Sequence, residues 1–130
     1  MVCLMDDGKW RSIGIPIASL PIRVDVLAGP LGARVQSWDE DGLGPAHGFG
    51  FVLKSGRMFV LEELDLMIQL GQAHVPLLYV DEIDYLTLGA KFLIDEVAIA
   101  IGIPVSDFAI SEPIYSGDLA PPSPPAGMRG

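Results

Sequence analysis

Cysteine is almost missing from this 130-residue chain: Cys3 stands alone, so no intramolecular disulfide and no cysteine-rich zinc site can form within it. Histidine is nearly as scarce, with only His47 and His74. The chain holds no G-x-S-x-G elbow and no H-E-x-x-H pair, so nothing in it marks an activated nucleophile or a zinc-bound water. Long apolar runs are absent too. The stretch from Ile13 to Ile22 is broken by Pro16 and Pro21, well short of the roughly 20 apolar residues that span a bilayer. The first ten residues carry Asp6 and Asp7 where a secretory leader would carry positive charge. These shortages together fit a soluble, cytoplasmic chain.

Positive charge is also in short supply, with eight Lys and Arg against seventeen Asp and Glu and a net charge of −9. Such a field repels nucleic-acid phosphates and anionic membrane surfaces and attracts basic surfaces. Neither nucleic acid nor membrane is therefore expected as a partner. The imbalance is local: residues 36–112 hold thirteen acidic and three basic side chains, whereas residues 1–35 are close to balanced.

What is present is enough apolar material for one core, half of all residues in a length suited to one domain. "PIRVDVLAG" alternates Ile22, Val24 and Val26 with polar residues, the period of a strand, and "ARVQSW" (Ala33–Trp38) would return beside it as a hairpin. "HGFGFVLKSGRMFVLEEL" predicts a second hairpin turning at Ser55-Gly56, with Leu53 facing Met58 and Val52 facing Phe59. That register gathers Phe49, Phe51, Leu53, Met58 and Val60 on one face. Gly48 and Gly50 fall on the other face, where a missing side chain permits close approach by another backbone or by a covering residue.

Residues 62–70 read as a short helix, with Glu62, Glu63 and Asp65 in its first turn and Gly71 as its stop. "VPLLYVD" is a compact strand. Leu86, Ala90, Leu93, Val97 and Ile101 then predict a long helix, capped by Asp84 or Thr87 and ended by Gly102 and Pro104. The expected fold is α+β: a mostly antiparallel sheet of about five strands with two helices packed on it, in a single domain of residues 1–116. Residues 117–130, "GDLAPPSPPAGMRG", read as a flexible, disordered Pro-rich tail.

Two acidic stretches compete for a functional role. In "DEDGLGPAHGFG" the glycines imitate a dinucleotide loop, but Asp39, Glu40 and Asp41 precede them and a strand, not a helix N-terminus, follows. The same stretch has too few oxygen ligands for a calcium loop. No cofactor and no metal are therefore expected. In "VDEIDYL", Asp81, Glu82 and Asp84 stand at a strand-to-helix junction, a common place for functional groups. Their plain reading is helix capping; the sharper one is docking of a basic protein.

Aromatic anchors are at hand for such docking in Trp38, Tyr79 and Tyr85. No catalytic residues are assigned. The profile is similar in type to the immunity proteins that neutralise a toxin by covering its basic active site, although no motif carries that likeness and no family is recognised. The expectation is a non-enzymatic protein-binding module whose contact residues are Trp38, Asp39, Glu40, Asp41, Tyr79, Asp81, Glu82, Asp84 and Tyr85. Two alternatives stand beside it. One is a small enzyme or ligand-binding domain with a pocket between sheet and helices, using a histidine and carboxylates. The other is a homodimeric assembly subunit.

Overall fold

The computed structural model describes residues 2–5, 14–40 and 42–111, with no side-chain description for residues 2–5 and Glu40. Asp41 and the Pro-rich segment 117–130 lie outside the described residues. The fold is α+β, built on one antiparallel sheet. In chain order its elements are β1 (Val2–Met5), β2 (Ile15–Ser19), α1 (Val24–Leu31), β3 (Gln36–Glu40), β4 (Gly44–Leu53) and β5 (Met58–Leu64). There follow α2 (Asp65–Gln69), β6 (Leu77–Val80), α3 (Glu82–Leu88), α4 (Ala90–Ile101), a 3₁₀ turn at Val105–Asp107 and β7 (Ala109–Ile110). The strands lie in the order β1, β4, β5, β6, β2, β7, and β3 shares the outer edge of β4 with β1. Among the described residues the inventory is thus larger than two helices and about five strands.

The central hairpin forms where the sequence places it, but one residue out of register. Phe51 pairs with Phe59 and Phe49 with Leu61. The loop holds three residues, not two: the Gly56 N–H donates to the Leu53 carbonyl at 2.8 Å, the Leu53 N–H donates to Arg57 at 3.0 Å, and Gly56 sits at φ 92°. This is a type I turn closed by a glycine at positive φ. A one-residue slip exchanges the faces of a strand. Phe59 and Leu61, not Met58 and Val60, therefore join Phe49, Phe51 and Leu53 against the helices.

The expected strand at Ile22–Val26 is instead the start of α1. Valines at period two concealed a three-four spacing, Val24, Leu27 and Ala28, which is the buried stripe, while Val26 faces outward. Pro30 is placed near the end of the helix, and the Gly32 and Ala33 N–H groups close it on the Gly29 and Ala28 carbonyls at 3.0 Å each. Because this segment is a helix, Ala33–Trp38 does not pair with it. Residues from Gln36 onward pair with β4 instead, so the acidic stretch is the β3–β4 hairpin turn, with Glu40 opposite Gly44.

The long helix expected from Leu86 to Ile101 is two helices. Gly89 separates them at φ 85°, ψ 161°, a conformation almost confined to glycine. Ala90, Leu93, Ile94, Val97 and Ala98 of α4 are buried, whereas Leu86 of α3 points outward. Burying Leu93, Ile94 and Val97 is worth roughly 5–9 kcal/mol of gross transfer free energy. The exposed Lys91–Asp95 pair at 3.4 Å adds only a few tenths of a kcal/mol, so packing and not surface charge holds α4 down.

Nothing lies within 4 Å of a Cβ built at Gly89, so replacing it brings torsional strain without a clash. Gly89→Ala is expected to cost about 1–3 kcal/mol in urea unfolding. A loss under about 0.5 kcal/mol would mean that the α3–α4 break is not held at this backbone geometry.

Candidate functional site

The sheet register places the two acidic stretches. Asp39 lies opposite Pro45, near one end of β4, while Asp81 follows Val80, which aligns through Phe59 with Phe51. Asp81 is thus about seven residues farther along the sheet and on its third strand over, a separation of more than about 20 Å at ~3.3 Å per residue. That exceeds the Debye length of about 10 Å at 0.1 M salt. The stretches act as two separate charged ends, not as one contact surface.

The β3 end carries Asp39, which is exposed, and Trp38, which is half-buried opposite Ala46. At the other end, Asp81 is the N-cap of α3 in place of Asp84 or Thr87: its Oδ1 accepts from the Ile83 N–H at 2.8 Å and the Asp84 N–H at 3.4 Å. Glu82 and Asp84 follow in the first turn, where negative charge complements the helix dipole. Tyr85 packs partly on the core, and Tyr79 lines a cavity on the sheet face opposite α4. Capping therefore accounts for Asp81, and the helix dipole favours its acidic neighbours. None of the residues of α3 is buried, and Ile83 and Leu86, one turn apart, are 72% and 68% exposed. Leu86 belongs to the apolar stripe read from the sequence, yet the break at Gly89 turns it away from the core together with Ile83.

A second constellation has no local signature in the sequence. β5 runs on through Glu62–Leu64, where a helix was expected to have begun, and alternation along the strand puts Glu63 on the core side with Phe59 and Leu61. Its side chain is 0% exposed. The Arg23 Nε–H donates to both Glu63 oxygens at 3.0 and 3.1 Å, and the Val24 N–H at the start of α1 donates at 3.4 Å. His47 Nε2 lies 2.7 Å from Glu63 Oε1, and its Nδ1 lies 3.1 Å from Asp65 Oδ1. A carboxylate only accepts, so each ring nitrogen serves its partner when it carries a proton.

With both imidazole nitrogens and both Glu63 oxygens occupied, this cluster acts as a clamp. It fixes α1, which has no side-chain cap of its own, to β4 and β5. Among the described residues no three His, Cys, Asp or Glu side chains are arranged to hold a metal ion.

No protein-family model, no curated protein and no solved structure matches the chain. Among the described residues no helix is long and apolar enough to cross a membrane.

A third charged group closes the hairpin against α4. Arg57 donates to Glu96 from Nε at 2.6 Å and from its Nη2 at 3.1 Å, and its guanidinium lies over the Phe92 ring at 5.4 Å. Burial opposes ionisation of Glu96, but the hydrogen bonds from Arg57 and Ser55 outweigh it and hold the carboxyl below its ordinary range. The folded chain therefore binds this proton less readily than the unfolded chain does. The pair's stabilisation is complete above the unfolded value of roughly pH 4.3 and is lost as the pH falls through the lower, folded value. The stability difference between wild type and Glu96→Gln should accordingly be constant near neutrality and shrink in acid; a difference that grows below about pH 4 would contradict the pairing.

Proposed function

We propose that this chain is a non-enzymatic binding module that covers a basic surface of another protein, in the manner of an acidic immunity-type inhibitor, with α3 at the centre of the contact. The observation that carries the reading is the pairing on α3 of outward-facing Ile83 and Leu86 with the Glu82 carboxylate. An apolar pair supplies short-range contact area, and flanking charge steers encounter and selects the partner's sign. The net charge of −9 supports the same reading, since it favours approach of cationic surfaces over anionic ones. Tyr85, half-buried on α3 itself, adds aromatic area beside this pair, whereas Tyr79 belongs to the cavity on the other sheet face. The β3 end, with Trp38, Asp39 and Glu40, lies too far away to share the same close contacts.

Affinity capture from the source lysate tests this with four baits. The wild type and Asp39→Asn should retain the same protein. Glu82→Gln/Asp84→Asn and Ile83→Ser/Leu86→Ser should each recover at least about tenfold less of it, the scale of a lost contact centre. Because Ile83 and Leu86 are exposed, the serine variant should keep the wild-type thermal midpoint, so lost capture cannot be ascribed to unfolding. Equal recovery by all four baits would exclude α3 as the contact.

A further inference from the structure

The sheet face opposite α4 carries a cavity of about 220 Å³, lined in part by α2 and by the segment that joins α2 to β6. Its floor comes from strand alternation. Leu77 of β6 pairs with Glu62 of β5, and Leu64 stands two residues along β5 from Glu62, so Leu64 and Leu77 share one face. Val75, which is buried, and Met67 of α2, which is 37% exposed, complete an apolar lining.

The polar groups of the lining are of two kinds. Glu62 and Tyr79 stand in the wall but already have interactions of their own within the fold. Gln72 and His74, exposed at the rim, carry no such commitment among the described residues. Both rim side chains can donate as well as accept a hydrogen bond. The site thus pairs an apolar floor with free polar groups at its mouth alone. A cavity of ~150 Å³ accepts benzene, so this one admits a molecule of roughly six to nine non-hydrogen atoms.

We infer that this cavity binds a neutral phenol, a single aromatic ring carrying one hydroxyl. The ring packs on Leu64, Val75 and Leu77, and the Met67 thioether beside it favours an aromatic over a saturated ring. The hydroxyl lies at the rim, where it donates to one of Gln72 and His74 and accepts from the other. An anionic ligand is disfavoured by the Glu62 carboxylate in the wall and by the net charge of −9. A cationic one gains little, because Glu62 is already engaged. The chemistry is shared by a free small phenol and by a tyrosine side chain presented by a protein. The cavity includes no residue of α3, so neither proposal stands or falls with the other.

The test is amide and methyl NMR of the full chain titrated with p-cresol, N-acetyl-tyrosine methylamide, toluene and 4-methylbenzoate. Saturable p-cresol shifts are expected at Leu64, Met67, Val75 and Leu77. Toluene, which lacks the hydroxyl, should bind at least about threefold more weakly, the scale of a net hydrogen bond in water. The anion 4-methylbenzoate should bind at least about tenfold more weakly. Tighter binding of p-cresol than of the tyrosine derivative identifies a free phenol as the natural source, and the reverse order identifies a protein side chain. Gln72→Ala/His74→Ala should lower the p-cresol affinity to that of toluene while leaving the toluene response unchanged, and that unchanged response reports that the cavity is intact. Absence of saturable p-cresol shifts at these four residues, p-cresol binding no tighter than toluene or 4-methylbenzoate, or wild-type p-cresol affinity in the double variant would overturn the inference.

Discussion

Glu63→Ala is expected to lower the unfolding free energy by about 3 kcal/mol, a large share of the 5–15 kcal/mol that holds an ordinary domain together. The carboxylate is fully buried and receives Arg23, the Val24 N–H and His47. Removing it leaves the first N–H of α1 without this acceptor and the His47 ring with Asp65 alone. Arg23 softens the loss, since its side chain is 47% exposed and can turn to water. The expected value is therefore near the lower end of what breaking a buried ion pair costs. By contrast Asp95→Ala, which breaks the exposed pair with Lys91, should cost only a few tenths of a kcal/mol. Urea unfolding of the three proteins measures the difference. Equal losses for Glu63→Ala and Asp95→Ala would show that the buried cluster does not fasten α1 to the sheet.

Gly48→Ala should be at least as damaging, for a steric reason. A Cβ at this position would overlap the Leu61 carbonyl oxygen and stand 2.9 Å from the Glu62 Cα, both backbone atoms that cannot rotate aside. Relief requires β4 and β5 to part at the centre of the sheet, where Gly48 pairs with Glu62 on one side and Gln36 on the other. Overpacking typically costs 1–3 kcal/mol, and a clash against backbone on a central strand belongs at or above about 3 kcal/mol. Unfolding of Gly48→Ala in urea, or its failure to accumulate as folded protein, checks this. A loss below about 1 kcal/mol would mean that the two strands do not approach so closely.

These two positions show where local pattern informs and where it stops. That Gly48 serves close packing is legible, because glycine alternating within an apolar strand has few other uses; that a backbone and not a covering side chain fills the space is not. The hairpin around Ser55-Gly56 is legible as well. Its register is not, since a two-residue and a three-residue loop suit the same letters and differ only in whether Gly56 takes the positive-φ position after a type I turn.

Glu63 was hidden for a different reason. In "VLEELDL" an acid before an apolar residue suits a helix start as well as a strand end. Its partners Arg23 and His47 stand 40 and 16 residues away. The clue was the strand alternation itself, which carries Phe59 and Leu61 on to Glu63 and so puts a charge where an apolar side chain belongs. The start of α1 reads as a strand because its valines fit period two, whereas burial against the sheet selects the three-four stripe of Val24, Leu27 and Ala28. The exposure of Ile83 and Leu86 follows from the helix break at Gly89, which the three-four spacing of the sequence does not reveal.

Association kinetics with the captured partner bear most directly on the central claim, that α3 presents an acidic and apolar contact to a basic protein. Asp81→Asn/Glu82→Gln/Asp84→Asn removes the charge while Asn at position 81 keeps the helix cap. Between 50 and 300 mM salt, the wild-type association rate should fall by about an order of magnitude or more, and the variant should begin slower and change little. An association rate indifferent to salt, or equal in wild type and variant at 50 mM salt, would contradict it.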